Sequence, residues 1–344
     1  MAIVYKNMTE IVQNLAPKIL EEIKKANNIL LHCHLNADAD SIGGALAMMQ
    51  VLETMGKKVT VIRGDSELSA SFSCLPGFEK IVHKNFFEVD LAQFDLFLIQ
   101  DSGSLNRVSN LAPIVFPKNL KTITIDHHAT NENYADINLV DSTYPATCQI
   151  IHDLFVAWNV EITSNIAKCL MLGIYFDTGG FRFNATTSGT FKVAGHLAEI
   201  APNYSSLISF VEDSKTPGVI AFQALALSSV KLYCGNHVAI SGVSHASLKD
   251  MGIKESEIYP DIAAVLKSVV GWDIGVKIVE TEPGKVKIGF RTRDEKVYDV
   301  SKIAVACGGG GHKGSSGVRM NVSVEEAVKR VVEVINSIYP ELGK

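Results

Sequence analysis

The sequence lacks several features that mark membrane and secreted proteins. It has no apolar run of about 18 residues, so no membrane-spanning helix is expected. Its first residues carry no signal-peptide pattern. Only six cysteines occur in 344 residues, and none forms a C-x-x-C pair. We therefore expect a reduced, cytoplasmic protein whose cysteines mainly pack in the core.

An excess of positive charge is also absent. Lysine and arginine number 32 against 37 aspartates and glutamates, and the formal net charge is -5. This balance argues against a long basic track for duplex nucleic acid, although local lysines and arginines could bind a short phosphate-bearing ligand. Hydrophobic residues make up 47% of the chain, which is sufficient for the cores of about two domains.

Apolar segments in the first half alternate as they do in βαβ units, which predicts an α/β domain with a parallel sheet. Its predicted strands are 29–31, 59–62, 95–99 and 121–125, and its predicted helices are 8–26, 41–56, 148–158, 166–176 and 186–200. Breaks near 200–225 predict a junction. Beyond it, a smaller domain is predicted from strands 237–240, 272–278 and 286–291 and helices 245–252, 260–270, 299–306 and 323–338.

Three of the predicted strands end in acidic or histidine residues, at 34–40, at Asp101 and at 126–128. The carboxyl ends of parallel strands lie along one edge of a sheet, so these side chains are expected to converge. Oxygen ligands with imidazole suit a divalent metal such as manganese. A capped helix with Asp40 or Ser41 as N-cap is the alternative for the first segment, but it does not explain His34 and Asp38.

Two further segments allow more than one interpretation. Asp177 follows an apolar helix and precedes Thr-Gly-Gly, which is typical of a helix C-cap but could also add a carboxylate to a metal site. The glycine-rich segment 308–317 follows a predicted helix rather than a strand, which argues against a dinucleotide fingerprint. It is either a tight structural turn or a row of exposed amides that, with His312 and Lys313, approaches a phosphate.

Together these motifs resemble those of the DHH phosphoesterases, a family named after the triplet Asp126-His127-His128. The matching motifs are His34-x-x-x-Asp38-x-Asp40-Ser41-Ile42-Gly43, Asp101 with its Ser-Gly, the triplet, Phe176-Asp177-Thr178-Gly179, and the segment 308–317. Size and layout are most similar to the nanoRNase group. The resemblance implies a parallel-sheet DHH domain over 1–200, a linker over 201–225, and a smaller α/β DHHA1 domain over 226–344 across a cleft.

The resemblance also implies a role for individual residues. Two metal ions would be bound, one by His34, Asp38, Asp101 and Asp177, and the other by Asp40, Asp101, His127 and Asp177. The family's usual metal is manganese, with magnesium or cobalt as substitutes. His128 would contact the scissile phosphate, and Asp126 would orient a histidine. The substrate would be held by Arg291, Gly310, Gly311, His312 and Lys313.

The charges of this set agree with that chemistry, because four carboxylates repel one another unless cations lie between them. The expected activity is hydrolysis of very short oligoribonucleotides to nucleoside monophosphates, and of 3′-phosphoadenosine 5′-phosphate. A cyclic di-AMP or pApA phosphodiesterase, and a non-catalytic nucleotide sensor, remain as alternatives, and a homodimer is left open. Arg107 and Arg182 are expected to be either phosphate contacts or countercharges near the acidic residues.

Overall fold

The structure is a computed structural model that describes residues 8–343; residues 1–7 and 344, the outer ends of the predicted domains, lie outside it. The chain divides into two compact units between Ser214 and Lys215. This point falls within the predicted junction 201–225. That segment is helical on both sides of the division, in α7 (Tyr204–Glu212) and α8 (Pro217–Ser228).

The first unit contains a five-stranded sheet in the order β2-β1-β3-β4-β5, and every pairing in it is parallel. Its strands are β1 (Asn28–His32), β2 (Lys58–Ile62), β3 (Leu96–Gln100), β4 (Lys121–Asp126) and β5 (Ile137–Val140). The predicted parallel α/β sheet is thus confirmed. The sequence did not indicate β5, an edge strand in which only Leu139 is buried, so it lacks the continuous apolar run of the central strands.

Seven helices accompany this sheet among the described residues: α1 (Glu10–Lys25), α2 (Ala39–Thr54), α3 (Leu105–Val108), α4 (Thr147–Ala157), α5 (Ser164–Asp177), α6 (Ser188–Ile200) and α7. Helices α2 and α5 are buried along most of their length. They approach closely because α2 carries Gly43, where a Cβ atom would lie 2.4 Å from the Cys169 carbonyl oxygen of α5. This packing fixes the start of α2 beside the end of α5.

The second unit has a six-stranded sheet in the order β10-β11-β9-β8-β7-β6, in which only β7 and β8 are parallel. Its strands are β6 (Lys231–Tyr233), β7 (Val238–Val243), β8 (Ile274–Glu282), β9 (Lys285–Thr292), β10 (Gly310–His312) and β11 (Ser315–Met320). Its helices are α8, α9 (His245–Asp250), α10 (Ile262–Lys267), α11 (Val300–Ala306) and α12 (Val324–Ile338). The core contains Phe290 and the α12 stripe Ala327, Val331 and Ile335.

The glycine-rich segment forms the hairpin of β10 and β11 rather than a turn alone. A Cβ atom on Gly309 would lie 2.3 Å from the Gly317 carbonyl oxygen, and one on Gly311 would lie 2.6 Å from Ser316 Cα. These two glycines therefore have a structural reason to be there, because only glycine permits so close a strand pairing. Within residues 8–343, no helix is long and apolar enough to cross a bilayer.

Candidate active site

The carboxyl ends of β1, β3 and β4 bring the predicted side chains to one edge of the first sheet. His34 follows β1. Asp38, rather than the expected Asp40 or Ser41, is the N-cap of α2, and it accepts hydrogen bonds from the backbone N–H groups of those two residues at 3.1 Å each. Asp101 follows β3, the strand that pairs with both β1 and β4. The order of strands in the sheet therefore explains why residues far apart in sequence meet here.

Asp101 lies at the centre of the site. Its Oδ2 is 3.2 Å from His34 Nε2, which is itself 3.5 Å from Asp38 Oδ2. Its Oδ1 is 3.7 Å from His127 Nε2. Asp101 also has a left-handed backbone, with φ at 54°, which is uncommon outside glycine and typical of functional sites. Each oxygen of this one carboxylate thus faces a different imidazole.

The ligand atoms form three groups that share members, and within each group the atoms all lie within 4.8 Å of one another. The groups are His34, Asp38 and Asp101; Asp40, His127 and Asp177; and Asp101, His127 and His128. In the second group, His127 Nε2 is 3.1 Å from Asp177 Oδ2. The structure therefore places all six residues predicted as metal ligands in these groups, with His128 beside them. Among the described residues, however, Asp177 shares a group with Asp40 and His127 and not with His34, Asp38 and Asp101.

Asp126, which was expected to orient a histidine, contacts His128, and two residues that the sequence analysis did not identify, Asn131 and Tyr144, add further support. His128 Nδ1–H donates to Asp126 Oδ1 at 2.7 Å, and the other oxygen of Asp126 accepts from the Asn131 amide at 2.6 Å. His127 Nδ1–H points to the Tyr144 carbonyl at 3.3 Å, which leaves Nε2 free to face the carboxylates. Metal-binding histidines are commonly oriented by such contacts.

The N-terminus of α4 supports two of the carboxylates. Asp40 accepts hydrogen bonds from the backbone N–H groups of Thr147 at 2.6 Å and Cys148 at 2.8 Å. The Thr147 hydroxyl donates to Asp101 Oδ1 at 3.1 Å. A helix N-terminus attracts negative charge, so α4 stabilises part of the charge that the site accumulates. Asp40 nevertheless keeps acceptor capacity, since a carboxylate has about four lone-pair positions.

The charges at the site are not balanced by the protein itself. Burial and the neighbouring carboxylates, Asp101 foremost, raise the pKa of Asp40 to about 7. Burial and the carboxylates of Asp40, Asp101 and Asp38 raise the pKa of Asp177 to about 9. Buried oxygen and imidazole donors with excess negative charge fit divalent metal ions, whose charge would remove this repulsion.

Positive groups gather on the side of His34. Burial opposes protonation there, but hydrogen bonds to Asp101 and Asp38 outweigh it and raise the pKa of His34 to about 10. The side chain of Asp38 is 54% exposed; partial loss of water around its carboxylate opposes ionisation, yet its contact with His34 lowers its pKa to about 2. Arg107 Nη2 lies 2.9 Å from His34 Nε2, so this arginine is a neighbour of the site. Arg182 is instead turned to the Gly179 carbonyl, to which its Nε–H donates at 2.6 Å.

The predicted substrate-binding residues belong to the second unit. Arg291, on β9, forms an ion pair with Asp261 in which Nη2 is 2.7 Å from Oδ2. Ser315 of β11 lies opposite Arg291 and also opposite His312 of β10, so these residues occupy one row across three strands. The four residues from Gly310 to Lys313 are exposed. Arg291 therefore already has a carboxylate partner, whereas the hairpin is accessible within its own unit.

Gly173 of α5 is expected to be intolerant of a side chain. A Cβ atom there would lie 2.4 Å from Cys148 Sγ and 2.8 Å from Asp40 Oδ1. Gly173→Ala should destabilise the protein by about 1–3 kcal/mol, the usual cost of overpacking, and should weaken metal binding by displacing Asp40. Urea denaturation and a metal titration would measure both effects.

Gly195→Ala provides the matched control. Gly195 lies within α6, and a Cβ atom there would meet nothing within 4 Å. Alanine is favoured over glycine in a helix by about 0.8–1.0 kcal/mol, so this variant should be at least as stable as the wild type. If Gly173→Ala were as stable as Gly195→Ala, the close approach of α5 to Asp40 would not be needed for the stability of the protein.

The fold and this site are similar to those expected of a DHH-type phosphoesterase. Residues 28–174 match the family described as "DHH family, N-terminal domain". The predicted resemblance is confirmed over these residues, and the chain is a hydrolase that acts on phosphate esters.

Curated relatives match along most of the chain. A Thermus thermophilus protein named bifunctional oligoribonuclease and PAP phosphatase NrnA is 26% identical over 95% of both chains. A Bacillus subtilis protein of the same name is 25% identical over 87% of this chain and 91% of its own.

Solved structures show the same fold. An exopolyphosphatase-related protein from Bacteroides fragilis has a TM-score of 0.89 at 20% identity, covering 98% of this chain and all of its own. RecJ from Thermus thermophilus, in complex with Mn²⁺, has a TM-score of 0.55 at 14% identity, covering 96% of this chain and 55% of its own. At these identities the likeness concerns the fold alone.

Proposed function

We propose that the protein hydrolyses very short oligoribonucleotides to nucleoside monophosphates and also removes a phosphate from 3′-phosphoadenosine 5′-phosphate. The observation that carries this proposal is the convergence of four carboxylates and two imidazoles at one edge of the sheet, in groups linked through Asp101 and His127, with His128 beside them. The names of the relatives that match along most of the chain support this choice of substrates. The balance of charge described above favours an anionic substrate only when cations are bound.

We propose that His34, Asp38, Asp101 and Asp177 hold one divalent ion and that Asp40, Asp101, His127 and Asp177 hold another, with manganese as the metal. Such a pair, when bound, supplies activation of a water molecule and stabilisation of the charge that develops on the phosphate. The protein's own contribution is to fix the ligands. Tyr144 and α4 hold His127, Asp40 and Asp101 before any substrate arrives.

His128 is proposed to contact the scissile phosphate. Its Nδ1 is committed to Asp126, so Nε2 is the nitrogen left for the substrate. Burial opposes protonation of His128, but its hydrogen bond to Asp126 raises its pKa, and the same bond lowers the pKa of Asp126 against the effect of burial. An imidazolium held in this way can donate a hydrogen bond to a phosphate oxygen as negative charge develops.

We further propose that Arg291, Gly310, Gly311, His312 and Lys313 bind the remainder of the substrate. Arg291 would exchange the Asp261 carboxylate for a phosphate, an anion of matching geometry. The exposed amides and side chains of the hairpin would contact a phosphate or a base. We also propose a cytoplasmic location and small nucleotide substrates rather than duplexes or membranes; size-exclusion chromatography would show whether the protein is a homodimer.

The test is release of mononucleotide from a labelled dinucleotide in the presence of manganese. Asp126→Asn should reduce kcat/KM by about 10- to 100-fold, because the neutral amide no longer supports a charged His128. The same assay should be run with other possible substrates, namely longer oligonucleotides up to hexanucleotides, 3′-phosphoadenosine 5′-phosphate, cyclic di-AMP and pyrophosphate.

Asp250→Asn, which removes an exposed carboxylate at the end of α9, should leave the activity unchanged. The proposal is wrong if the wild-type protein releases no mononucleotide from any oligonucleotide. Preferential cleavage of cyclic di-AMP would assign the site to the alternative phosphodiesterase instead.

A further inference from the structure

The chain makes an unusual turn immediately after Asp177. Gly179, Gly180 and Phe181 are three consecutive residues with left-handed backbones, at φ values of 61°, 67° and 66°. The turn is closed by a hydrogen bond from Phe183 N–H to the Thr178 carbonyl at 3.0 Å. A bulky residue such as Phe181 rarely adopts this conformation, and such strain persists where the surroundings hold it and often where function needs it. The backbone N–H of Phe183 is therefore held at Thr178, the residue that follows Asp177 in the sequence.

The ring of Phe181 accounts for how the turn is held. It stacks on Phe191, with ring centroids 5.3 Å apart and planes at 30°, and it meets Tyr175 edge to face at 5.9 Å. Offset and edge-to-face contacts are the favoured arrangements of aromatic pairs. These contacts stabilise the strained residue and explain why it is aromatic. They do not explain why a second phenylalanine follows two positions later.

Phe183 lies against the backbone of the turn and is otherwise open. A Cβ atom on Gly179 would lie 2.5 Å from Phe183 Cζ and 2.6 Å from Cε1, so only glycine allows the ring to lie there. The residue is nevertheless 58% exposed. In the described part of the chain, no aromatic ring packs on it at the distances found for Phe181. An aromatic ring that is largely open to solvent thus lies against Gly179, two residues after Asp177 of the active site.

We propose that the uncovered face of Phe183 stacks on a base of the nucleotide substrate whose scissile phosphate lies at the site of Asp101 and Asp177. This inference rests on the proposed function and assigns a residue to the recognition of the base. Stacking on an aromatic ring accepts every base, because each base has a π-face. It would therefore let the enzyme act on short RNAs of any sequence while favouring nucleotides over pyrophosphate, which has no base.

The contribution of Phe183 can be measured with two dinucleotides in which one or the other nucleotide is abasic. Phe183→Ala should raise KM for the intact dinucleotide by about 10- to 100-fold, with a smaller change in kcat, because base stacking contributes that much to binding. In the wild-type protein, removing the stacked base should raise KM by a similar factor. In Phe183→Ala, removing the same base should have no further effect.

Two variants separate stacking from a structural role. Phe183→Trp should keep KM within a few fold of the wild type, since tryptophan also offers a flat ring. Phe210→Ala removes another exposed phenylalanine, on α7, and should leave KM unchanged. Melting temperatures of all variants would show whether the fold is intact.

The outcomes are distinct. If wild-type protein and Phe183→Ala cleave the intact dinucleotide with the same KM, the stacking role is wrong and the proposed function stands. The role is also wrong if Phe183→Ala loses affinity equally for intact and abasic substrates, because the ring would then act on the fold rather than on the base. If the wild-type protein cleaves no dinucleotide, the proposed function fails, and the stacking role fails with it.

Discussion

Asp101→Asn is expected to reduce phosphodiester hydrolysis by roughly 10³-fold or more and to lower the metal content of the protein. The two oxygens of Asp101 face different imidazoles, His34 at 3.2 Å and His127 at 3.7 Å, so this carboxylate is shared by both proposed ion sites. Asparagine keeps the shape but loses the charge and one of the two acceptors. Loss of metal-based stabilisation worth several kcal/mol corresponds to about this factor in rate.

Asp141→Asn is the control for this experiment. Asp141 also follows a strand, β5, and is buried, but its Oδ1 is engaged by the Thr143 backbone and hydroxyl, and it belongs to none of the ligand groups. Its replacement should change kcat/KM by only a few fold per folded molecule. The shared role of Asp101 would be contradicted if Asp101→Asn retained two manganese ions per chain by elemental analysis and near-normal turnover.

The sequence was sufficient to predict the strand ends of the site. Strands β1, β3 and β4 are apolar runs that stop abruptly at polar residues, and the parallel arrangement places those stops on one edge. Asp177 was harder to predict, because it ends a helix and the pattern around it equally indicates a cap. Only the family resemblance assigned it to the site, and the structure then placed it 3.1 Å from His127.

The supporting residues were not predictable in the same way. Thr147 donates to a carboxylate 46 positions earlier, and Tyr144 acts through its backbone carbonyl, which carries no sequence signal. The sequence analysis likewise did not predict strand β10, since glycine is depleted in strands and its pairing here depends on close tertiary contact. Gly173 did leave a signal, because glycine inside an apolar helix is unfavourable unless another element approaches closely.

Metal-free protein is expected to lose stability as the pH rises, and manganese or magnesium should prevent that loss. The pKa values of Asp40 and Asp177 are raised to about 7 and about 9 from an ordinary 3.8, chiefly by burial and then by neighbouring carboxylates. The folded chain therefore holds protons that the unfolded chain releases, and this stabilisation is lost between about pH 4 and pH 9. The pKa of His34 is raised to about 10 from an ordinary 6.5, so this residue adds a further loss of stability as the pH rises between these two values.

Bound cations should reverse this trend because they neutralise the carboxylates, and because metal ligands bind in their deprotonated forms. At a free metal concentration of about 1,000 times Kd, the gain is about 4 kcal/mol, which for a domain of this size is about 8–16 °C in Tm. Thermal melts at pH 5, 6.5 and 8, with chelator or with metal, should show that the increase in Tm caused by metal becomes larger as the pH rises. Asp177→Asn should make the Tm of the metal-free protein depend less on pH, because the asparagine amide has no proton to lose in this range. A gain that is the same at all three pH values would mean that repulsion among these carboxylates does not govern the stability of the metal-free site.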